Sequence, residues 1–270
     1  MKTSQRVLLG AALVVLAVVA VMALLPQVIA THDPLRTDVR AALEAPSAAH
    51  LFGTDQSGRD VFSRVVYGAG RSVGIGLLAT GLALAIGLVV GSLSAVAPRA
   101  VDATAMRITD VLMAFPEFLV ALVVVAMLGP GPANVAIAVT IAAVPVYIRL
   151  ARVQTRTLAL AEHVEAARIL GVRPLPAFSR HVVPGVLGSL SVLATIGIGS
   201  SILAAAGLSF LGLGPIEPVP EWGLMLSGGR NVLAQAWWIA VFPGIAITLT
   251  VVSATIVGRM LRARAEGRAA

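Results

Sequence analysis

The stretch SVGIGLLATGLALAIGLVVGSLSAVA, residues 72–97, carries no charged side chain and no proline. Its apolar character is continuous rather than alternating, which argues for a helix and against a strand of a membrane β-barrel. As a helix it is long enough to cross the roughly 30 Å hydrocarbon core of a bilayer. A helix is also the form that satisfies every backbone N–H and C=O inside lipid. Comparable runs lie at 7–30, 104–128, 133–150, 186–207 and 237–258. The reading is therefore an all-α integral membrane protein with six transmembrane helices.

Composition agrees with this. Of 270 residues 58% are hydrophobic and only 12% charged, and the mean hydropathy is +0.93. A soluble domain carries about 25% charged residues. The net charge is +7, yet Lys2 is the only lysine. No Gly-x-x-x-x-Gly-Lys phosphate loop and no Schiff-base lysine within the membrane can exist, so any nucleotide that drives this chain binds to another one. Cysteine is absent, which removes disulfides, thiolate metal sites and thiol nucleophiles. His32, His50, His163 and His181 show no zinc-like spacing, two falling on each predicted side of the membrane. They are read as polar loop residues; no metal, cofactor or catalytic residue is expected.

The first apolar run, Val7 to Ala30, is interrupted only by Pro26 and Gln27 and exceeds a signal-peptide core of about 7–15 residues. It is read as a retained span, although Val28-Ile29-Ala30 loosely resembles a cleavage site. The predicted organisation has residues 1–71 as the first span plus an external segment. Residues 72–260 form a five-helix core containing a long basic loop at 151–185, and 261–270 form a tail. Fourteen of the twenty basic residues gather on one side: Lys2, Arg6, Arg99, Arg107, Arg149, Arg152, Arg156, Arg168, Arg173, Arg180, Arg259, Arg262, Arg264 and Arg268. The positive-inside rule then puts both termini in the cytoplasm. This is charge that sets topology, not a nucleic-acid patch. Small residues such as Gly87, Gly91, Gly197 and Gly199 suit close helix packing in lipid. No internal repeat of the kind found in inverted-repeat transporters is visible.

Within the basic loop, Glu162 to Leu170 has the pattern of a short helix with acids near its N-terminus, terminated by Gly171 and kept from continuing by Pro174. Ala166 and Ala167 give it low relief, fitting a surface on which another protein seats. Further upstream, Val61, Phe62, Val65 and Val66 share one helical face. That predicts a short amphipathic helix on the outer membrane surface, with Asp55 and Ser57 able to cap its start. The spacing of Asp55 to Asp60 does not fit a calcium loop. Asp110 and Glu117, seven residues apart, are the acids placed within a span. They either line a polar pathway or, for Asp110, pair with an arginine such as Arg107. Pro116 opens the backbone beside Glu117 and favours a cavity position for it. Trp222, Trp237 and Trp238 are read as interface anchors.

Four ordered motifs carry a resemblance. Glu165-Ala166-Ala167, with Gly171 four residues on and Pro184 at the loop's end, resembles the EAA loop of ABC importer permeases. The run from Gly53-Thr54-Asp55 through Gly58-Arg59-Asp60 to Ser63-Arg64 resembles the GTD-x-x-GRD-x-x-SR signature of the dipeptide/oligopeptide/nickel permeases, in their "C" subunit branch. Arg107 to Pro116, and Gly207 to Gly214 with Glu221-Trp222-Gly223, resemble two further segments of that family. The chain departs from it where an Asn-x-x-Gly-Asp stretch commonly closes the last span: here stands Thr255-Ile256-Val257-Gly258-Arg259.

The resemblance implies a six-helix, type I importer permease of a bacterial inner membrane. It implies Glu165, Ala166, Ala167, Gly171 and Pro184 as the site that couples to an ATPase. It implies Gly53, Thr54, Asp55, Gly58, Arg59 and Asp60 as either a docking platform for an external substrate-binding protein or a structural closure of the outer rim. The implied partners are a second, homologous permease, two ATPase subunits, the external binding protein and lipid. Peptides are the expected cargo, with nickel or another metal complex as the alternative within the same architecture. A proton-coupled secondary transporter using Glu117 is the competing class.

Overall fold

The apolar runs become helices in the computed structural model, which describes residues 3–265 and so leaves Lys2, Arg268 and the end of the tail outside the described residues. In chain order these are α1 (Thr3–Leu24), α2 (Pro26–Ile29), α3 (Val61–Val96), α4 (Arg99–Met113), α5 (Glu117–Leu128), α6 (Pro132–Ala159), α7 (Glu162–Ile169), α8 (Pro174–Ala177), α9 (Val183–Phe210), α10 (Trp222–Arg230) and α11 (Trp238–Ala265). Among the described residues there is no strand, only one isolated bridge between Thr54 and Asp60.

Two expectations change. The run at 104–128 is not one straight span: α4 and α5 meet at 93°. Pro116, which lacks a donor and restricts the residue before it, stands at the break. With 12 residues, α5 is about 18 Å long, short of the hydrocarbon core. Among the described residues five helices are long and apolar enough to span, and the count is six if the bent pair is taken as one broken span. The second change concerns the outer segment. The amphipathic stretch after Asp60 is not a separate surface helix but the first turns of α3, whose 36 residues extend about 54 Å. The boundary expected at 71/72 falls inside that helix.

α3 is the axis of the bundle because its buried face is made of small residues. Gly76, Ala79, Ala83, Gly87 and Gly91 recur every three to four positions and are all buried. A Cβ at Gly87 would run into Tyr147, and one at Gly91 into the Ile148 carbonyl and, at 2.7 Å, the Ala151 methyl. α6 therefore lies directly against α3 and runs parallel to it. A Cβ at Gly76 would meet Ile202, so α9 packs antiparallel on the adjoining face. Side-chain hydrogen bonds join the same helices: Thr80 Oγ1 to Ser201 Oγ at 3.0 Å and Thr155 Oγ1 to Ser92 Oγ at 3.1 Å. Close backbone approach and interhelical hydrogen bonds replace hydrophobicity as the cohesive terms among helices in lipid. Meanwhile α1 presents Val7, Val14 and Val18 outward, as a lipid-facing helix would.

Helix direction sorts the connections into two ends. The segment 31–60, α10 and the start of α11 gather at one end. The segment 160–182 gathers at the other.

Candidate functional site

At the first end the polar motif is folded inward. Gly53 and Gly58 both have φ of +71°. A Cβ on Gly58 would overlap the Asp38 carbonyl, and one on Gly53 would meet Glu44 O at 2.5 Å and Trp238 Nε1 at 2.7 Å. Only glycine fits both demands. Between these turns Thr54 is buried, donating its hydroxyl to the Ala41 carbonyl and accepting from Glu44 N–H. Asp55 closes the second turn, its Oδ1 accepting from Ser57 N at 2.8 Å and Arg59 N at 3.0 Å. The cap of α3 is Asp60, not Asp55 or Ser57: Asp60 Oδ2 accepts from Ser63 N at 2.8 Å.

Two arginines lie buried within this knot. Arg59 Nε donates to Asp55 Oδ2, and its Nη1 donates to Glu217 Oε2, each at 2.7 Å. Arg64 is 1% exposed and donates Nη1 to the carbonyls of Pro34 at 3.2 Å and Pro218 at 3.0 Å, with Asp55 and Glu217 3.6 and 3.5 Å away. Burial alone would lower the Arg59 guanidinium, but the carboxylates of Asp55 and Glu217 outweigh it and hold it above its ordinary value. Glu221 caps α10, accepting from Gly223 N and Leu224 N as well as from the Ser72 hydroxyl. The ion pairs thus bind the loop after α2, the start of α3 and the loop before α10 into one unit.

Trp222 belongs to this unit and not to a lipid interface. It is fully buried, its Nε1 donating to the Val65 carbonyl at 2.8 Å. Trp238 is also buried and donates to Thr54 O at 3.0 Å. Only Trp237, 49% exposed, has the surroundings expected of an anchor.

The opposite end inverts this pattern. α7 ends at Gly171, whose φ is +84°. Val172 N donates to Ala167 O at 3.0 Å, the six-to-one bond of a glycine-terminated helix. Val164 is fully buried in one apolar cluster with Tyr147, Ala151, Val182, Val186 and Leu190, and α7 lies against α6 and the turn that leads into α9. Ala167 also points inward. Glu165 and Ala166 face outward, and with them Leu160, Ile169, Leu170 and Leu175, which are 75–83% exposed. A π-helical turn, Phe178–Val182, leads into α9, where Pro184 occupies the first turn. Ile169, Leu170 and Leu175 were not singled out in the sequence. Their signal is that they are apolar within a basic loop.

Between the ends, Asp110 and Glu117 do not share a helical face, because the 93° break separates them. Asp110 pairs with Arg149 of α6 rather than with Arg107. Asp102 receives Arg152 through two hydrogen bonds, Nε at 2.5 Å and Nη2 at 2.7 Å, and Arg156 at 2.7 Å. These pairs tie α4 to α6. Glu117 is exposed on the first turn of α5, a favourable place for a carboxylate. A cavity of about 650 Å³ opens between α4, α6, α9 and α11, lined by Met113, Arg149, Gln154, Ser189 and Arg262 among others.

A bundle of five spans and a broken sixth, with a buried polar knot at one end and exposed apolar side chains on the loop at the other, defines an all-helical integral membrane protein. The comparisons agree. Residues 83–267 match the family described as "Binding-protein-dependent transport system inner membrane component". The probable D,D-dipeptide transport system permease protein of Escherichia coli is 41% identical over 250 residues, covering 91% of this chain and 84% of that protein. The dipeptide transport system permease protein of Alkalihalophilus pseudofirmus is 37% identical over 262 residues, covering 97% and 86%. The glutathione transport system permease protein of Pectobacterium atrosepticum is 40% identical over 259 residues, covering 96% and 86%. This chain belongs to the binding-protein-dependent transport system inner membrane component family and is a permease subunit of an ABC importer. ATPase and substrate-binding-protein partners follow from that membership in general terms.

Proposed function

We propose that the chain forms half of the pathway of an inner-membrane importer for short peptides, with a second, homologous permease forming the other half. Two ATPase subunits seat against the 160–182 end, and an external binding protein delivers cargo at the 31–60 end. Both termini are cytoplasmic in this reading, because the arginine-rich connections belong inside. The observation that carries the cargo is the set of relatives: each of the three is named for the transport of a dipeptide or glutathione, and none for nickel. A family described as binding-protein-dependent also leaves no reason to invoke a proton-coupled carrier built around Glu117.

Coupling runs through α7. Glu165, Ala166, Ile169 and Leu170 meet the ATPase, while Val164 and Ala167 transmit its movement into α6 and α9. Gly171 lets the helix end sharply and turn back, and Pro184 starts α9 beyond the π turn. Gly53, Thr54, Asp55, Gly58, Arg59 and Asp60 act as the closure of the outer rim, since their hydrogen bonds run within this chain, to one another and to Ala41, Glu44, Ser63 and Glu217. Glu117, on the exposed face of α5, contributes to the pathway that the partner permease completes.

The test is reconstitution of the complete transporter. Labelled dipeptide should be taken up on ATP hydrolysis and compete with other short peptides, with no uptake of nickel. Gly171→Trp should abolish substrate-stimulated ATP hydrolysis while the chain still inserts. Undiminished coupled uptake in that variant would remove the lever, and nickel uptake without peptide uptake would replace the cargo.

A further inference from the structure

The outer knot brings two histidines, which the permease reading leaves without a task, to the aspartate that caps α3. His32 follows α2, His50 lies in the turn before Gly53, and Asp60 caps α3. Their ligand-type atoms all lie within 4.8 Å of one another. His50 Nδ1 is 2.9 Å and His32 Nδ1 3.8 Å from the same oxygen, Asp60 Oδ1. The two imidazole rings are 4.8 Å apart between centroids and tilted by 33°.

We propose that His32, His50 and Asp60 form a binding site for a divalent transition-metal ion of the zinc class.

The donor chemistry fits such an ion, which takes imidazole nitrogen and carboxylate oxygen in a tetrahedral set. The donors are also held in place by other groups. Asp60 Oδ2 is committed to Ser63 N, which leaves Oδ1 turned toward the two rings. The Ser63 hydroxyl in turn accepts from His32 N at 3.0 Å, fixing the backbone from which that ring projects. The backbone of His50 is clamped by Ser47 and by Gly53 N, both at 2.8 Å to its carbonyl. Such supporting contacts orient ligands and raise metal affinity. Space is available: a cavity of about 210 Å³ adjoins the three residues and is lined also by Asp33 and Asp38. Arg36 stands on the same wall, but the three carboxylates there outnumber it. Water, or one of those acids, completes the coordination.

A bound ion would join the chain after α2, the 47–53 turn and the N-terminus of α3, which is the work a disulfide does elsewhere and which a cysteine-free chain cannot do. The competing explanation is that His50 only satisfies the capping carboxylate. That explanation leaves His32 Nδ1 with only the Thr31 hydroxyl, 3.0 Å away, so His32 decides between them.

The experiment uses the full-length chain in detergent, without a polyhistidine tag, stripped of metal and titrated with Co²⁺ and then Zn²⁺. One equivalent of Co²⁺ should give a ligand-field absorption band that Zn²⁺ displaces. Zn²⁺ should slow hydrogen exchange across residues 31–60. His32→Ala leaves the Asp60–Ser63 cap and the His50–Asp60 contact in place, and should weaken binding by about 100-fold and abolish the exchange protection. His50→Ala should weaken binding equally. Should His50→Ala fail to fold, His32→Ala alone decides. Absence of a saturable band, or unchanged affinity in His32→Ala, would overturn the site; adventitious surface binding would give the latter result.

Discussion

The two ends of the bundle handle polarity in opposite ways. Around 53–64, charged groups are buried beside the apolar cluster that Val61 forms with Met225 and Trp238. Arg64 is 1% and Asp60 2% exposed; Arg64 donates to two carbonyls, and Asp60 meets the Ser63 amide and the His50 ring. Around 160–175 Glu162, Glu165 and Arg173 are outside, and apolar Leu160, Ile169, Leu170 and Leu175 stand in the open. A buried polar group is tolerated only with partners in place, so the first region is complete within this chain. An exposed apolar patch of this kind is the surface on which the proposed ATPase seats. Motif residues at the two ends look alike on paper, yet one set is buried in bonds within the chain and the other, in the proposed function, addresses the ATPase.

Substitutions separate the two roles. The largest loss of stability is expected from Arg64→Ala, which leaves the Pro34 and Pro218 carbonyls without their donor and takes the second arginine from buried Asp55. About 3–5 kcal/mol should be lost, seen as a chain that no longer accumulates in the membrane fraction. Gly58→Ala should come next, at about 2 kcal/mol or more, because left-handed strain adds to overlap with the Asp38 carbonyl. Gly171→Ala has the same strain but nothing within 4 Å of the new Cβ. It should cost only about 1 kcal/mol, so thermal unfolding should rank the two glycines clearly. The smallest stability change, within about 0.5 kcal/mol, is expected for Ile169→Asp with Leu170→Asp. That double variant should nevertheless lose ATPase association in pull-down and lose coupled uptake. Equal destabilisation by Gly58→Ala and Gly171→Ala would erase the contrast between the ends.

Much of the fold was legible because lipid imposes a long, continuous apolar run on each span. The exception at 104–128 is instructive. Hydropathy averages over Pro116 without seeing it, whereas the backbone breaks there, and the broken pair moves Asp110 onto Arg149 of another helix. α7 and its Gly171 terminus were readable because capping and glycine signals are local. The status of the outer motif was not. An amphipathic face at Val61 to Val66 fits a surface helix as well as the buried start of α3, and only long-range partners such as Glu217 and Trp222 distinguish them. The meeting of His32, His50 and Asp60 was equally hidden, since ligands brought together by separate loops need no characteristic spacing.

The central claim is that the 160–182 end is the covered, cytoplasmic end and the 31–60 end the exposed, external one. Because the chain has no cysteine, single thiols can be introduced without background. Leu170→Cys and Ala48→Cys, at two exposed positions, can be labelled with a membrane-impermeant maleimide in intact cells and in inverted membrane vesicles. The account predicts that Ala48→Cys reacts only in intact cells. Leu170→Cys should react only in inverted vesicles, and there only after the ATPase subunits are stripped away. Labelling of Leu170→Cys from outside, or labelling in inverted vesicles that ignores the ATPase, would contradict it.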